Sequence, residues 1–169
     1  MASLAVNVIF QDIKAVESDA VVVGFYEDVR PLKSLAGQID WLLCGSLSRL
    51  IIEKRMRGSL GEVALLTNRG KIPAGKIFLV GLGLQSEFSC VTLKSVARTI
   101  AASIIAAGVQ VAALEYFPPA QANYEEGVHV LQEGLKEGAG ELDLSVALVA
   151  SDKAAYDQIS RQLCDLHPS

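Results

Sequence analysis

The sequence predicts an α/β fold in which a mixed central sheet lies between two layers of helices, a three-layer α/β/α sandwich. Three observations carry the prediction. Short β-branched runs recur along the 169 residues. Stretches with apolar residues at three- and four-residue spacing lie between them. Two of the runs, Val21-Val22-Val23 and Ile77-Phe78-Leu79-Val80, have no polar alternation, as in strands covered by helices on both faces.

Taken in order, strands are predicted at Leu4 to Phe10 and Ala20 to Tyr26. A first helix presents Leu35, Ile39, Leu42, Leu43, Leu47, Leu50 and Ile51 and ends at Gly58. Strands Glu62 to Thr67 and Lys76 to Leu82 follow. A second helix with Leu93, Val96, Ala97, Ile100 and Ile104 then ends at Gly108. After a strand at Val109 to Phe117, a third helix starts at Asn123 with Glu126 as its capping-box partner. It presents Tyr124, Val128, Leu131 and Leu135 before Gly138. A last strand, Leu144 to Ala150, leads to a helix that starts near Ser151 or Asp152 and aligns Ala155, Tyr156, Ile159 and Leu163. Two strands in succession occur twice, so a mixed sheet is expected rather than a doubly wound parallel one. Gly37, Gly45 and Gly127 interrupt the helical patterns at about 1 kcal/mol each relative to alanine, so bends or close packing are expected there.

A single domain spanning residues 1–169 is expected, because a chain of this length supports one sizeable core. Fifteen basic against 19 acidic residues leave a net charge of -4, which excludes the broad positive surface that nucleic acid requires. The cationic cluster Arg49, Lys54, Arg55 and Arg57 falls at the end of the first helix, where cations offset the helix dipole. Cys44, Cys90 and Cys164 have no metal-ligand or redox spacing and are expected to pack as small apolar residues. With only His129 and His167, neither a histidine-rich metal site nor a serine-histidine triad is expected. The N-terminus lacks a basic targeting region, and the most apolar stretch, Val96 to Leu114, carries Arg98, Ser103, Gly108 and Gln110. No membrane span, and a cytoplasmic location, are therefore expected. Trp41, the single tryptophan, lies between Ile39 and Leu42 and reads as core or interface.

From about Asp19 to Phe117, the segments SDAVVVGFYEDVRPL, LAGQIDWLLCGSLSRLI, GEVALLTNRGKIPAGKIFLVGLG and LKSVARTIAASI resemble the N-terminal domain of the leucyl aminopeptidase family. That resemblance implies a macro-domain fold. The opening VIFQDIKAVESDAVVV and the ending LDLSVALVASDKAAYDQISRQL are similar to the first and last elements of macro domains. The resemblance also places the two metals and the peptidase chemistry of these enzymes in a C-terminal domain with an Asn-Thr-Asp-Ala-Glu-Gly-Arg motif. No such motif occurs in this sequence, and its nearest string, Asn123-Tyr124-Glu125-Glu126-Gly127, lacks the threonine, the metal-binding aspartate and the arginine. No metal, cofactor or catalytic residue is expected.

Residue by residue, the macro resemblance makes Asp12 the acceptor for an adenine amino group and Ile13 its neighbour beside the base. The rest of an ADP-ribose pocket is poorly represented. Gly24-Phe25-Tyr26-Glu27 stands where an Asn-Ala-Ala-Asn stretch belongs, and Lys33-Ser34-Leu35-Ala36-Gly37 offers one glycine where a phosphate loop has several. Tyr116-Phe117-Pro118-Pro119 replaces the second glycine loop, and each proline removes an N–H donor. Gly37, Gly81 and Gly83 remain as candidate phosphate-loop positions, although Gly81-Leu82-Gly83 equally fits a tight strand-to-loop turn. Lys14, Arg30 and Lys33 could meet an anionic ligand at the strand ends.

The expected function is a non-catalytic, stand-alone domain acting in assembly, regulation or partner binding, by self-association or with a peptidase catalytic domain. Two alternatives remain open. One is a binder of an adenine nucleotide or ADP-ribose-like metabolite, and the other is a fragment or partner subunit of a cytosolic metalloaminopeptidase.

Overall fold

The computed structural model describes residues 2–166, and His167 lies outside them. In chain order the elements are β1 (Leu4–Ile9), β2 (Ala20–Phe25), α1 (Ser34–Leu42), α2 (Ser46–Ile52), β3 (Val63–Thr67), β4 (Lys76–Gly81), α3 (Cys90–Ala106), β5 (Val111–Glu115), α4 (Tyr124–Ala139), β6 (Leu144–Val149) and α5 (Lys153–Leu166). Single 3-10 turns cover Ile13–Ala15 and Gln85–Glu87. Each strand falls inside the run that predicts it.

The strands form one sheet in the order β1-β6-β5-β2-β4-β3. Five are mutually parallel, and β3 closes one edge antiparallel to β4. The sheet is therefore mixed, as expected, but through β3 and β4 alone: β1 and β2, though consecutive, are separated by β6 and β5 and run parallel.

Side-chain alternation on the central strands feeds two cores. Ala20 and Val22 of β2 with Phe78 and Val80 of β4 face α3, α4 and α5, where they meet Leu93, Ile100, Leu131 and Ile159. Val21, Val23, Ile77 and Leu79 point the other way, onto Leu35, Ile39 and Leu47 of α1 and α2. Every residue of β2 is buried, which explains why its sequence lacks polar positions. Each such aliphatic side chain withdrawn from water contributes roughly 1.5–3 kcal/mol.

The first predicted helix is two helices. α1 and α2 meet at 105° around Cys44 and Gly45, whose φ angles are +54° and +80°. The physical reason is Asp40: its Oδ1 accepts the Ser48 N–H at 2.9 Å and its Oδ2 the Ser48 hydroxyl, so a side chain near the end of α1 caps the start of α2. α2 then stops at Ile52 rather than at Gly58. Trp41 lies about 200° around α1 from the buried Ile39 and is 80% exposed, so of the two expected places, core or interface, the core is excluded. Cys44 and Cys164 are exposed and Cys90 is half-buried, so the first two do not pack as small apolar residues. No single helix among the described residues is long and apolar enough to cross a membrane.

The remaining helices start as their caps dictate. Asn123 Oδ1 accepts the Glu126 N–H at 2.9 Å, and Asp152 Oδ1 accepts the Ala155 N–H at 2.8 Å. A reciprocal capping box joins Ser89 and Thr92 at the start of α3. α4 runs past Gly138 to Ala139, because that glycine is a contact point and not a stop. A β-carbon on Gly134 would lie 2.4 Å from the Lys94 carbonyl oxygen, and one on Gly138 2.2 Å from that of Arg98. These glycines let α4 lie directly on the backbone of α3, and Lys94 bridges Glu133 and Glu137 across the seam.

Gly138→Ala therefore sets helix propensity, which favours alanine by about 1 kcal/mol, against overpacking onto backbone. Overpacking, at about 1–3 kcal/mol, outweighs that gain, and urea denaturation is expected to show a net loss of up to about 2 kcal/mol.

Candidate functional site

β2 and β5 are neighbours in the sheet, yet the chain leaves β2 for α1 on one face and β5 for α4 on the other. Such a divergence opens a crevice beyond the carboxyl ends of the two strands. Here it has two lobes, which share Ser34, Glu115, Tyr116 and Pro118. The lobe toward β1 and β6 has a volume of about 340 Å³ and is rimmed by Phe10, Gln11 and Ser151. The lobe toward β4 has a volume of about 380 Å³ and takes in Tyr26, Lys33 and Phe117.

Glu115, the last residue of β5, forms the wall common to both. It is 8% exposed and is the buried charged side chain among the described residues. Its Oε2 accepts the Gly24 N–H at 3.2 Å and its Oε1 accepts the Leu35 N–H at 3.1 Å. Leu35 is the second residue of α1, whose N-cap Lys33 supplies no side-chain bond of its own. A carboxylate from a neighbouring strand thus occupies the positive end of α1. Burial pushes the Glu115 carboxyl up to about 7, and the two N–H bonds hold it from rising further.

Aromatic side chains enclose this carboxylate. Tyr116 stacks on Tyr124 at 5.8 Å between ring centroids, and Tyr26 meets Phe88 edge-on at 5.6 Å. A β-carbon on Gly127 would lie 2.1 Å from the Tyr116 hydroxyl oxygen, so this glycine within α4 makes the space that Tyr116 occupies. Burial pushes the Tyr116 phenol well above its ordinary range. The Tyr26 phenol is raised too, first by burial and then by the charges of Glu115 and Asp28.

Of the residues singled out in the sequence, Lys33 lines the second lobe, while Asp12, Ile13, Gly37, Gly81 and Gly83 are not gathered here. Asp12 is exposed beside Gln11, and its Oδ1 accepts the Lys14 N–H at 2.9 Å, capping the short turn after β1. Ile13 is 2% exposed and packs into the core beneath α1 and α2. Gly37 lies in α1 with its N–H on the Lys33 carbonyl, in a surface depression that also holds Trp41. The N–H groups of Gly81 and Gly83 donate to the carbonyls of Glu62 at 2.7 Å and Gly58 at 2.8 Å. Both glycines thereby seat the turn before β3, and a β-carbon on Gly81 would lie 2.2 Å from the Ser59 carbonyl oxygen. Among the described residues, no group of three or more His, Cys, Asp or Glu side chains is placed to hold a metal ion. Glu115 is the residue that sequence reasoning misses; its one signal is a lone carboxylate ending the otherwise apolar Val111-Ala112-Ala113-Leu114.

A family model described as "Cytosol aminopeptidase family, N-terminal domain" matches residues 22–143. The chain belongs to this family. A probable cytosol aminopeptidase of Alkaliphilus oremlandii is 31% identical over 91 residues, which make up 54% of this chain and 18% of that protein. The chain spans about a fifth of the length of the curated cytosol aminopeptidases it matches. Among solved structures, a mutant tomato leucine aminopeptidase superposes with a TM-score of 0.72 at 18% identity, covering 96% of this chain and 36% of that one. The Oceanobacillus iheyensis macrodomain with ADP superposes with a TM-score of 0.72 at 13% identity, covering 94% and 90%. Identities this low show the macrodomain fold alone.

Because the Glu115 carboxyl is near 7 when folded against an ordinary value of 4.5, the folded state holds its proton more tightly than the unfolded chain. Its stabilising contribution is full below the unfolded value and is lost as pH rises through 7. Urea unfolding of the wild type should show a loss of about 2–3 kcal/mol between pH 5 and pH 8, with no corresponding slope in Glu115→Gln. Equal slopes in the two proteins would contradict this assignment.

Proposed function

We propose that this member of the cytosol aminopeptidase family acts in the cytoplasm as a non-catalytic assembly or partner-binding domain, either with a second copy or with a peptidase catalytic domain. The observation that carries the proposal is the surface beside the α1–α2 elbow, where apolar side chains are interspersed with Asp40, Arg69 and Lys71. Trp41, Leu42 and Cys44 line one depression, while Leu42, Cys44, Leu65 and Leu66 line the adjoining one. Trp41 is 80% exposed, and Leu66, on β3, is half-buried and turns to the same face of the sheet as α1 and α2. The surface therefore runs from the elbow to the outer edge of the sheet, where β3 pairs with β4 on one side only. An exposed tryptophan beside an unpaired strand edge supplies both hot-spot area and free backbone donors. Peptidase chemistry, which the relatives' names state for them, is assigned to a separate catalytic domain.

Trp41 reports on its own burial, being the single tryptophan. On self-association or on mixing with a cytosol aminopeptidase catalytic domain, its emission should shift to the blue while sedimentation shows a larger species. Trp41→Lys should leave the fold intact and weaken association roughly thirtyfold or more, about 2 kcal/mol for a hot-spot residue. A wild-type chain that stays monomeric and ignores the catalytic domain would defeat the proposal.

Recognition of an adenine-bearing metabolite is the second function we consider, supported by Asp12. The second oxygen of its carboxylate takes no hydrogen bond from the described residues, and Asp12 follows Gln11 of the crevice rim in the chain. In this proposal Ile13 acts indirectly, anchoring the Asp12 turn in the core, and Gly37, Gly81 and Gly83 contribute only through the packing of α1 and of the turn before β3. Calorimetric titration with ADP-ribose should then give binding that Asp12→Ala weakens tenfold or more, the worth of a charge-assisted hydrogen bond of about 1.5–3 kcal/mol. Absence of heat with the wild type would remove it.

A further inference from the structure

The crevice floor is built for the opposite charge from the one that helix N-termini usually attract. An anion entering between β2 and β5 would seek the N–H groups at the start of α1. Glu115 already holds the Leu35 N–H there, and the Gly24 N–H of β2 as well. Pro118 and Pro119, on the loop after β5, have no N–H to offer.

Glu115 itself is incompletely matched. Each of its oxygens takes one backbone N–H and keeps acceptor capacity, since an ionised carboxylate has about four lone-pair sites. The ion pairs among the described residues involve other carboxylates, and Lys33, exposed at the mouth of the second lobe, makes no ion pair with it. The walls around it are the rings of Tyr26, Tyr116, Phe117 and Tyr124 with the Pro118 ring. Ring faces attract cations, and apolar walls strengthen any ionic contact made between them.

We propose that the crevice is a binding site for a small organic ammonium, whose N–H groups donate to the Glu115 carboxylate while its apolar body lies among Tyr26, Tyr116 and Phe117. The raised carboxyl of Glu115 agrees with a charge that lacks its counterion, and a bound ammonium would supply it. The ionisable side chains that share the crevice are Tyr26 and Lys33 after β2, Tyr116 after β5 and Tyr124 on α4. Asp28 acts on Tyr26 from outside. Burial raises both Tyr26 and Tyr116, so their phenols stay neutral through the range in which Glu115 changes charge.

The probes are phenethylammonium, its neutral analogue 2-phenylethanol and its anionic analogue phenylacetate, titrated into the purified chain by NMR. Phenethylammonium is expected to bind at least tenfold tighter than 2-phenylethanol, with phenylacetate weakest, and its shifts are expected at Gly24, Tyr26, Glu115 and Tyr116. Glu115→Gln, checked for folding by circular dichroism, is expected to abolish the preference for the cation. Should that variant fail to fold, the wild type still decides the matter. Protonation of Glu115 should weaken phenethylammonium about tenfold between pH 8 and pH 6, the factor expected for one group titrating near 7. Equal binding of the three probes, no binding of the ammonium, a Glu115→Gln variant that keeps the preference, or a flat pH dependence would each overturn the proposal.

Discussion

The hydrogen bonds that Glu115 makes with Gly24 and Leu35 tie together three elements that diverge at the centre of the fold. β2 and β5 run side by side, and the helices that follow them pack on opposite faces of the sheet. Nothing in a parallel ladder bonds the first turn of α1, because helix N–H groups at that end have no partner within the helix. The carboxylate supplies one. Its burial is unfavourable alone, and the two N–H donors together with the dipole of α1 offset part of that penalty. Removing the carboxylate would leave two buried donors unmatched, each worth about 1–3 kcal/mol.

The positions of the strands were legible because burial on both faces of β2 and β4 demands continuous apolar residues, and a half-covered strand such as β6 alternates. Helix starts were legible where a cap stands in the sequence, as at Asn123 and Asp152. The elbow between α1 and α2 was legible only as a bend expected at Gly45, and not as a break into two helices. Its apolar spacing continues through Leu42, Leu43 and Leu47, and the break depends on Asp40 reaching forward to Ser48 across a left-handed Cys44 and Gly45. A contact over eight residues leaves no mark in a helical period. Trp41 could be read only as core or interface; its phase on α1, opposite the buried Ile39, decides against the core.

Glycines divide in the same way. Gly108 follows α3 with a φ of +78°, as a helix terminator does, and its role could be read from position alone. Gly127, Gly134 and Gly138 stand inside a helix for the sake of groups distant in sequence, the Tyr116 hydroxyl and the backbone of α3. Gly81 looks like part of a ligand loop in the sequence, but in the structure it meets the turn that leads into β3. Whether a glycine faces a ligand or another strand of the same chain is a tertiary fact.

The candidate site was the least legible part for a related reason. The macrodomain fold fixes where a crevice opens, at the strand ends on either side of the switch in helix direction. It does not fix what enters, because that depends on a few side chains and on which backbone N–H groups remain free. In this chain the N–H groups of Gly81 and Gly83 are taken up by Glu62 and Gly58, and that of Leu35 by Glu115. A diphosphate would find few donors and would face a carboxylate across apolar walls, where repulsion is screened less than in water. A cation would find the reverse on every count. In the site proposed here, one glutamate at the end of a strand sets the charge that the crevice accepts.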